Sequence, residues 1–441
     1  MRRLGTMALA AVLGLLLFLL GGIGLFRVRV DGQQQSGVPD GSALLSAAIP
    51  SGSLEQTIAN LQQRLRTLPS DWRSYASLGL AYVSQARVTA DPSFYPKAEG
   101  VLERSLELNA RDNYEALVGM GALALARHDF AGAMEWGQKA RAVNPYNGNV
   151  YGVIGDALLE LGRYGRAFET FQRMVDTRPD LSSYARVSYA REIQGDVAGA
   201  IDAMAAAGES GFPGDAAWVS YQLGELYFNS GQLSKAGQAY RRGTRLAPSF
   251  IPLHAGLAKV AWARGRIDQA ITRYSWVVER YPLPEFVIAL GDLYSVSGQR
   301  DQAEQQYALV RAEEALFRAN GVNVDLELAL FDADHGRPQD ALAAARAEWE
   351  RRHSVHVADA LAWALYANGR FAEASGYADR ALSLGTRNAL FMFHAGMIRL
   401  KLGDEDGARW LLAEALETNP HFSILYAPVA ERSLARLEVG P

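Results

Sequence analysis

From Asn149 to Pro179 the chain reads NVYGVIGDALLELGRYGRAFETFQRMVDTRP, and its apolar residues fall into two helical stripes separated by a short break. Tyr151, Ile154, Gly155 and Leu158 recur at steps of three, one and three, which puts them on one helix face at about 3.6 residues per turn. Gly162 and Arg163 interrupt the stripe where a left-handed helix terminus favours glycine. Tyr164, Ala167, Phe171 and Met174 resume it on a second helix, which Pro179 ends. The small Gly155 and Ala167 let the two backbones approach, while Tyr151 and Phe171 fill the space on either side. Two short helices cannot bury such faces by themselves, so the hairpin needs neighbours stacked on both sides.

The chain supplies them. The second-helix alanine recurs as Ala98, Ala133, Ala167, Ala200, Ala236, Ala270, Ala303, Ala341, Ala374 and Ala408, at steps of 35, 34, 33, 36, 34, 33, 38, 33 and 34. Gly162, Gly195, Gly231, Gly265, Gly298, Gly336, Gly369 and Gly403 each stand five residues before their alanine, and Pro145, Pro179, Pro248, Pro282 and Pro420 close units. A recurrence this regular over ten units is not compositional, even in an alanine-rich chain.

The order aromatic, two residues, apolar-Gly, two residues, large, then Ala, three residues, Phe, then Pro resembles the tetratricopeptide repeat of about 34 residues. The resemblance implies an all-α fold: a right-handed α-solenoid of about ten helix-turn-helix repeats over residues 70–421. Four departures mark expected irregularities. The first repeat, from Tyr75, Leu78, Gly79 and Tyr82, carries an insertion near Arg87 to Pro96. The fourth ends in the loop GESGFPGD, Gly208 to Asp215. After Ala303 the second helix is expected to run on to Asn320, and the eighth repeat has Asp325 and Asp332 where large inward residues belong.

At the amino end, Leu4 to Phe26 is a run of 23 uncharged residues after Arg2 and Arg3, long enough to span a bilayer. Gly22-Ile23-Gly24 is a poor cleavage site, so the reading is a signal-anchor helix within residues 1–30, with secretion after signal-peptide cleavage as the alternative. Arg27 and Arg29 weaken the orientation signal, but a short basic start before an apolar run favours the N-terminus inside and the repeats outside the cytoplasm. Residues 31–52 read as a flexible linker. Residues 53–69 read as an N-terminal capping helix with Ser53 and Gln56 as a capping box and Leu54, Ile58, Leu61, Leu65 and Leu68 inward. Residues 422–441 read as a C-terminal capping helix and tail beginning at Pro428.

Charge and composition narrow the function. A net charge of −4 with mixed signs lacks the basic stripe of a nucleic-acid footprint, so no nucleic-acid partner is expected. The absence of cysteine removes disulfides, thiolate metal sites and cysteine nucleophiles. Arginine-rich, lysine-poor composition suits a GC-rich bacterial gene. No phosphate loop, nucleophile elbow or HExxH stands out, and no catalytic residue, cofactor or metal is assigned. His353 and His356, with Asp359 near, are three apart but fall at an inter-repeat turn, and Asp404, Glu405 and Asp406 complement a helix start.

The resemblance implies a non-enzymatic scaffold that holds a peptide or helix of a protein partner in the concave groove lined by the first helices. Some relatives clamp acidic chaperone tails with Lys, Asn and Arg there. This chain instead places Ala76, Val118, Gly152, Ala185, Tyr221, Ala255 and Ile288 toward the groove. Alternatives are an envelope biogenesis factor holding an apo-protein, as in cytochrome maturation, or a solenoid binding a small molecule or metal. The fifth repeat's first helix has a second face, Trp218, Tyr221, Glu225 and Phe228, displaced by roughly 130° from its inner face. With Tyr189 and Glu192 before it and Lys259, Trp262 and Asp292 after it, this face is the expected partner-binding groove. Packing against adjacent first helices is the competing reading of Trp218 and Phe228. Trp363, Tyr366 and Phe393 are either a second contact or core.

Overall fold

The computed structural model describes residues 51–211 and 213–439. Among them are twenty-two α-helices and no strand. A first helix, α1 (Ser51–Thr67), precedes ten antiparallel hairpins. These are α2 (Trp72–Thr89) with α3 (Phe94–Leu108), α4 (Tyr114–Ala126) with α5 (Phe130–Val143), α6 (Gly148–Glu160) with α7 (Tyr164–Thr177), and α8 (Leu181–Ile193) with α9 (Val197–Ser210). A 3-10 turn at Pro213–Asp215 leads to α10 (Ala216–Asn229) with α11 (Leu233–Leu246), α12 (Ile251–Ala263) with α13 (Ile267–Val278), and α14 (Pro284–Val296) with α15 (Arg300–Ala319). Then come α16 (Asp325–Asp334) with α17 (Pro338–Arg351), α18 (Val355–Ala367) with α19 (Phe371–Ala381), α20 (Ala389–Lys401) with α21 (Glu405–Thr418), and a last helix, α22 (Ala427–Val439).

The hairpin geometry follows from small and large residues in register. A Cβ at Gly155 would collide with the Phe171 ring, and one at Gly224 or Gly256 with the Tyr240 ring, so each glycine is the hole that a bulky second-helix side chain fills. The repeat alanines, Ala98 through Ala408, are all buried. The eight turn glycines have φ between 72° and 82°, and in the second repeat His128 takes the same place with φ 60°. Side-chain caps start many helices: Asp129, Asp196 and Asp404 each accept the N–H of a glycine three residues on, at 2.9–3.0 Å.

The irregular repeats resolve locally. The insertion of the first repeat lengthens α2 to Thr89, and α9 takes in Gly208, Glu209 and Ser210 before the chain turns. The twenty-residue α15 runs to Ala319 as its spacing required, and its extra turns answer the two aspartates of the eighth repeat. Arg311 on α15 ion-pairs with the buried Asp332, and Arg318 reaches Asp325 at 2.7 Å.

The expectation of a single-pass membrane protein with extracytoplasmic repeats is corrected. No helix among the described residues is long and apolar enough to cross a membrane. The stretch Leu4 to Phe26, on which both the anchor and its signal-peptide alternative rested, lies outside the described residues.

Candidate functional site

The superhelix closes on itself, and this closure builds the site. Residues 191 to 195 apart in sequence bond along a regular seam. The turn inside each early repeat meets the linker that follows the repeat five places later. Tyr281 Oη donates to the Arg87 carbonyl at 2.8 Å, and Asn323 N donates to the Arg127 carbonyl at 3.0 Å. His128 Nδ1 lies 2.6 Å from the Asn323 carbonyl, and Tyr164 Oη accepts from Val355 N at 2.6 Å. Gly162 and Gly195 touch the backbone at His353 and Gly385, so closely that a Cβ on either would clash with a carbonyl oxygen.

At the centre of the seam a buried ionic group spans two turns of the superhelix. The Arg352 guanidinium, 3 % exposed, bonds to Glu160 from α6 and Glu348 from α17, and lies over the Phe130 ring at 4.6 Å. Burial drives the Glu160 carboxyl up to about 7 against the pull of Arg352. His128, buried beside this group, is pushed down to about 4.

Inside the closed superhelix the first helices of repeats four to eight converge on a partly enclosed chamber of about 600 Å³. Its far side is covered by the segments around Arg387 and Phe422. Of the residues expected in a partner groove, Tyr189, Glu192, Glu225, Phe228, Lys259, Trp262 and Asp292 line this chamber together. Trp218 and Tyr221 are not among its walls: both are about 95 % buried, and Tyr221 packs on Tyr240 and Phe250 at ring distances of 6.2 and 6.3 Å. Phe228, only 5 % exposed, is at once chamber wall and core. The aromatic group at Trp363, Tyr366 and Phe393 lies elsewhere, where Trp363 Nε1 and Tyr426 Oη both donate to Asp334 at 2.7 Å and fasten α22 to the stack.

The chamber is acidic. Lys259 bonds to Glu225 at 2.6 Å and lies 5.0 Å from the Phe228 ring, while the other Glu225 oxygen accepts from Tyr240 Oη at 2.5 Å. Asp292 is held by His335 at 3.0 Å and Tyr307 at 2.9 Å. Burial raises Glu192 to about 7 and Glu285 and Glu327 to about 8. His356, on the wall against Phe391, is pushed by burial to about 4, and His353 packs on Trp349 instead; Asp359 bonds to His394 at 2.9 Å.

Glu285, Glu327 and the seam were not found by sequence reasoning. One column was readable: Asp156, Glu225, Lys259 and Asp292 each stand eleven residues before their alanine, at Ala167, Ala236, Ala270 and Ala303. Asp156, overlooked there, forms a buried bidentate pair with Arg186 at 2.8 and 2.7 Å, and Gly152 leaves room for that guanidinium.

Profiles of the tetratricopeptide repeat match residues 148–181, 219–250, 256–307 and 360–421. With its ten hairpins, the chain belongs to the tetratricopeptide repeat family. No curated protein matches it by sequence. Among solved structures it is similar to the human IFIT1 dimer with PPP-AAAA, at 14 % identity over 92 % of this chain and 95 % of that one, TM-score 0.46. It is also similar to yeast Tom70, at 14 % identity over 88 % and 86 %, TM-score 0.33. A third is the tetratricopeptide repeat protein TTC0263 of Thermus thermophilus, at 21 % identity over 43 % and 99 %, TM-score 0.38.

Proposed function

We propose that the protein is a non-enzymatic scaffold that holds a segment of a protein partner in its central chamber. The observation that carries this reading is the convergence of seven first-helix residues, from Tyr189 to Asp292, on one cavity of about 600 Å³. The tetratricopeptide repeat architecture supports it, because stacked repeats create concave surfaces used for binding. The cavity size selects the occupant. A helix 10–12 Å wide rising 5.4 Å per turn takes roughly 420–610 Å³ per turn, so the chamber holds about one helical turn or a few side chains of an extended peptide.

The test is a photoreactive amino acid installed at the chamber residue Ile288 and, separately, at Trp410, which is 62 % exposed on α21. A partner crosslinked from position 288 and not from 410 is the expected result. Identical adduct patterns from both positions would overturn the reading.

A further inference from the structure

We propose that the chamber recognises a cationic group, a protonated amine or a guanidinium, using carboxylates that no cation within the protein occupies. The inference rests on the chamber being a binding site and names the chemistry it accepts.

The chamber already contains one example of such recognition. The Lys259 ammonium sits between the Glu225 carboxylate at 2.6 Å and the Phe228 ring at 5.0 Å, the pairing of charge and aromatic face that suits a desolvated cation. Two further carboxylates on the same walls lack that complement. The Glu327 side chain is 7 % exposed, and its carboxylate has no hydrogen-bond partner beyond its own backbone N–H. Its nearest charged neighbours are committed elsewhere: Arg352 to Glu160 and Glu348, and Asp325 to Arg318 and Arg351. His128 Nδ1 stands 4.0 Å away and faces the Asn323 carbonyl. Glu285 likewise leaves Oε1 unpartnered, with Lys259 engaged by Glu225.

A buried donor or acceptor without a partner costs about 1–3 kcal/mol, more when it is charged, so native proteins retain few of them. Two such carboxylates in one cavity, beside the unpartnered donor Gln222 Nε2, need a reason, and a ligand that brings donors and positive charge supplies it for the carboxylates. Once ionised by a bound cation, the five carboxyl groups in the walls, Glu192, Glu225, Glu285, Asp292 and Glu327, outnumber the two permanent cations, Lys259 and Arg387. Trp262 and Phe422 add apolar walls for the stem of an amine.

Ligand binding then couples to protons. With the chamber empty, burial keeps Glu285 and Glu327 largely protonated at neutral pH. A cation binds their ionised forms, so affinity rises with pH through the range in which these carboxyls lose their protons.

The experiment is calorimetric titration of the full chain with three probes: agmatine, the tripeptide Gly-Arg-Gly, and Gly-citrulline-Gly as its neutral counterpart. Agmatine and the arginine peptide are expected to bind, at least ~10-fold more tightly at pH 8 than at pH 6, and the citrulline peptide to bind at least ~10-fold more weakly than its arginine counterpart. Glu285→Gln with Glu327→Gln is expected to weaken agmatine at least ~10-fold while the thermal unfolding midpoint holds or rises. Should that variant fail to fold, the pH dependence of the unaltered chain decides. Agmatine binding without the arginine peptide supports the cation inference and removes the chamber from the scaffold reading. Equal binding of both peptides overturns the cation inference and leaves the scaffold reading standing. Absence of binding by agmatine and by the arginine peptide overturns the inference.

Discussion

Glu313 is fully buried on α15, neither of its carboxylate oxygens has a hydrogen-bond partner, and burial pushes its carboxyl up to about 9. In the unfolded chain the same group titrates near 4.5. Between those values the folded state keeps a proton that the unfolded state releases. The stability linked to Glu313 is therefore complete below about 4.5 and is lost as pH rises toward 9. His128 and His356 act in the other direction: with both pushed down to about 4, their contribution is present above 6.5 and lost as pH falls through 4. Glu313→Gln keeps the shape and removes the ionisation. It is expected to leave the unfolding midpoint nearly unchanged at pH 5 and to add several kcal/mol at pH 9, at about 1.4 kcal/mol per pH unit between them, as measured by thermal unfolding at the two values. A gain of the same size at both pH values would mean that the carboxyl is not held protonated. None of this was legible in the sequence, where Glu313 is one of two adjacent glutamates in AEEALFRAN.

At the scale of the helix pair the sequence was far more informative. The helix periods, the alanine column, the turn glycines and the long α15 are all local, since each depends on residues within about one repeat of each other. The hairpin contact is equally local. Gly155 faces Phe171, which is 2 % exposed, across a backbone approach that leaves no room for a Cβ. Gly155→Leu is expected to lower stability by roughly 1–3 kcal/mol or more, because the added side chain overpacks a site that cannot widen without parting α6 from α7. Chemical denaturation checks it. An unchanged midpoint would show that α6 can rotate to relieve the contact. The same locality explains where the groove reading departed from the structure. Helical angles identified which first-helix residues share a face, but they carried no information on how far the neighbouring helices cover that face, and so Trp218 and Tyr221 were grouped with a surface that the fold buries.

Closure of the whole superhelix belongs to neither scale, since a contact between residues some 190 apart leaves no period to read, and its energetic consequence is the last prediction. In an open array each repeat is held by its nearest neighbours, and unfolding can begin anywhere and spread. Here the seam adds a second set of bonds from each early turn to a linker five repeats on, with Arg352, Glu160 and Glu348 at its centre. Replacing Arg352 by Leu leaves Glu160 buried without its cation, a loss of about 3–5 kcal/mol for breaking a buried pair. Arg352→Leu together with Glu160→Leu is expected to recover part of that loss, because an apolar pair replaces Arg352 and Glu160 while Glu348 keeps Arg351 as its partner at 2.6 Å. The single variant is expected to unfold over a broader urea range with a smaller m-value, the early and late repeats no longer coupled. Its radius of gyration by small-angle X-ray scattering is expected to rise as the chamber opens along the seam, and the double variant to return toward the compact value. Unchanged scattering and an unchanged m-value in Arg352→Leu would show that nearest-neighbour stacking alone sets the curvature, with the seam a consequence of the superhelix and not one of its causes.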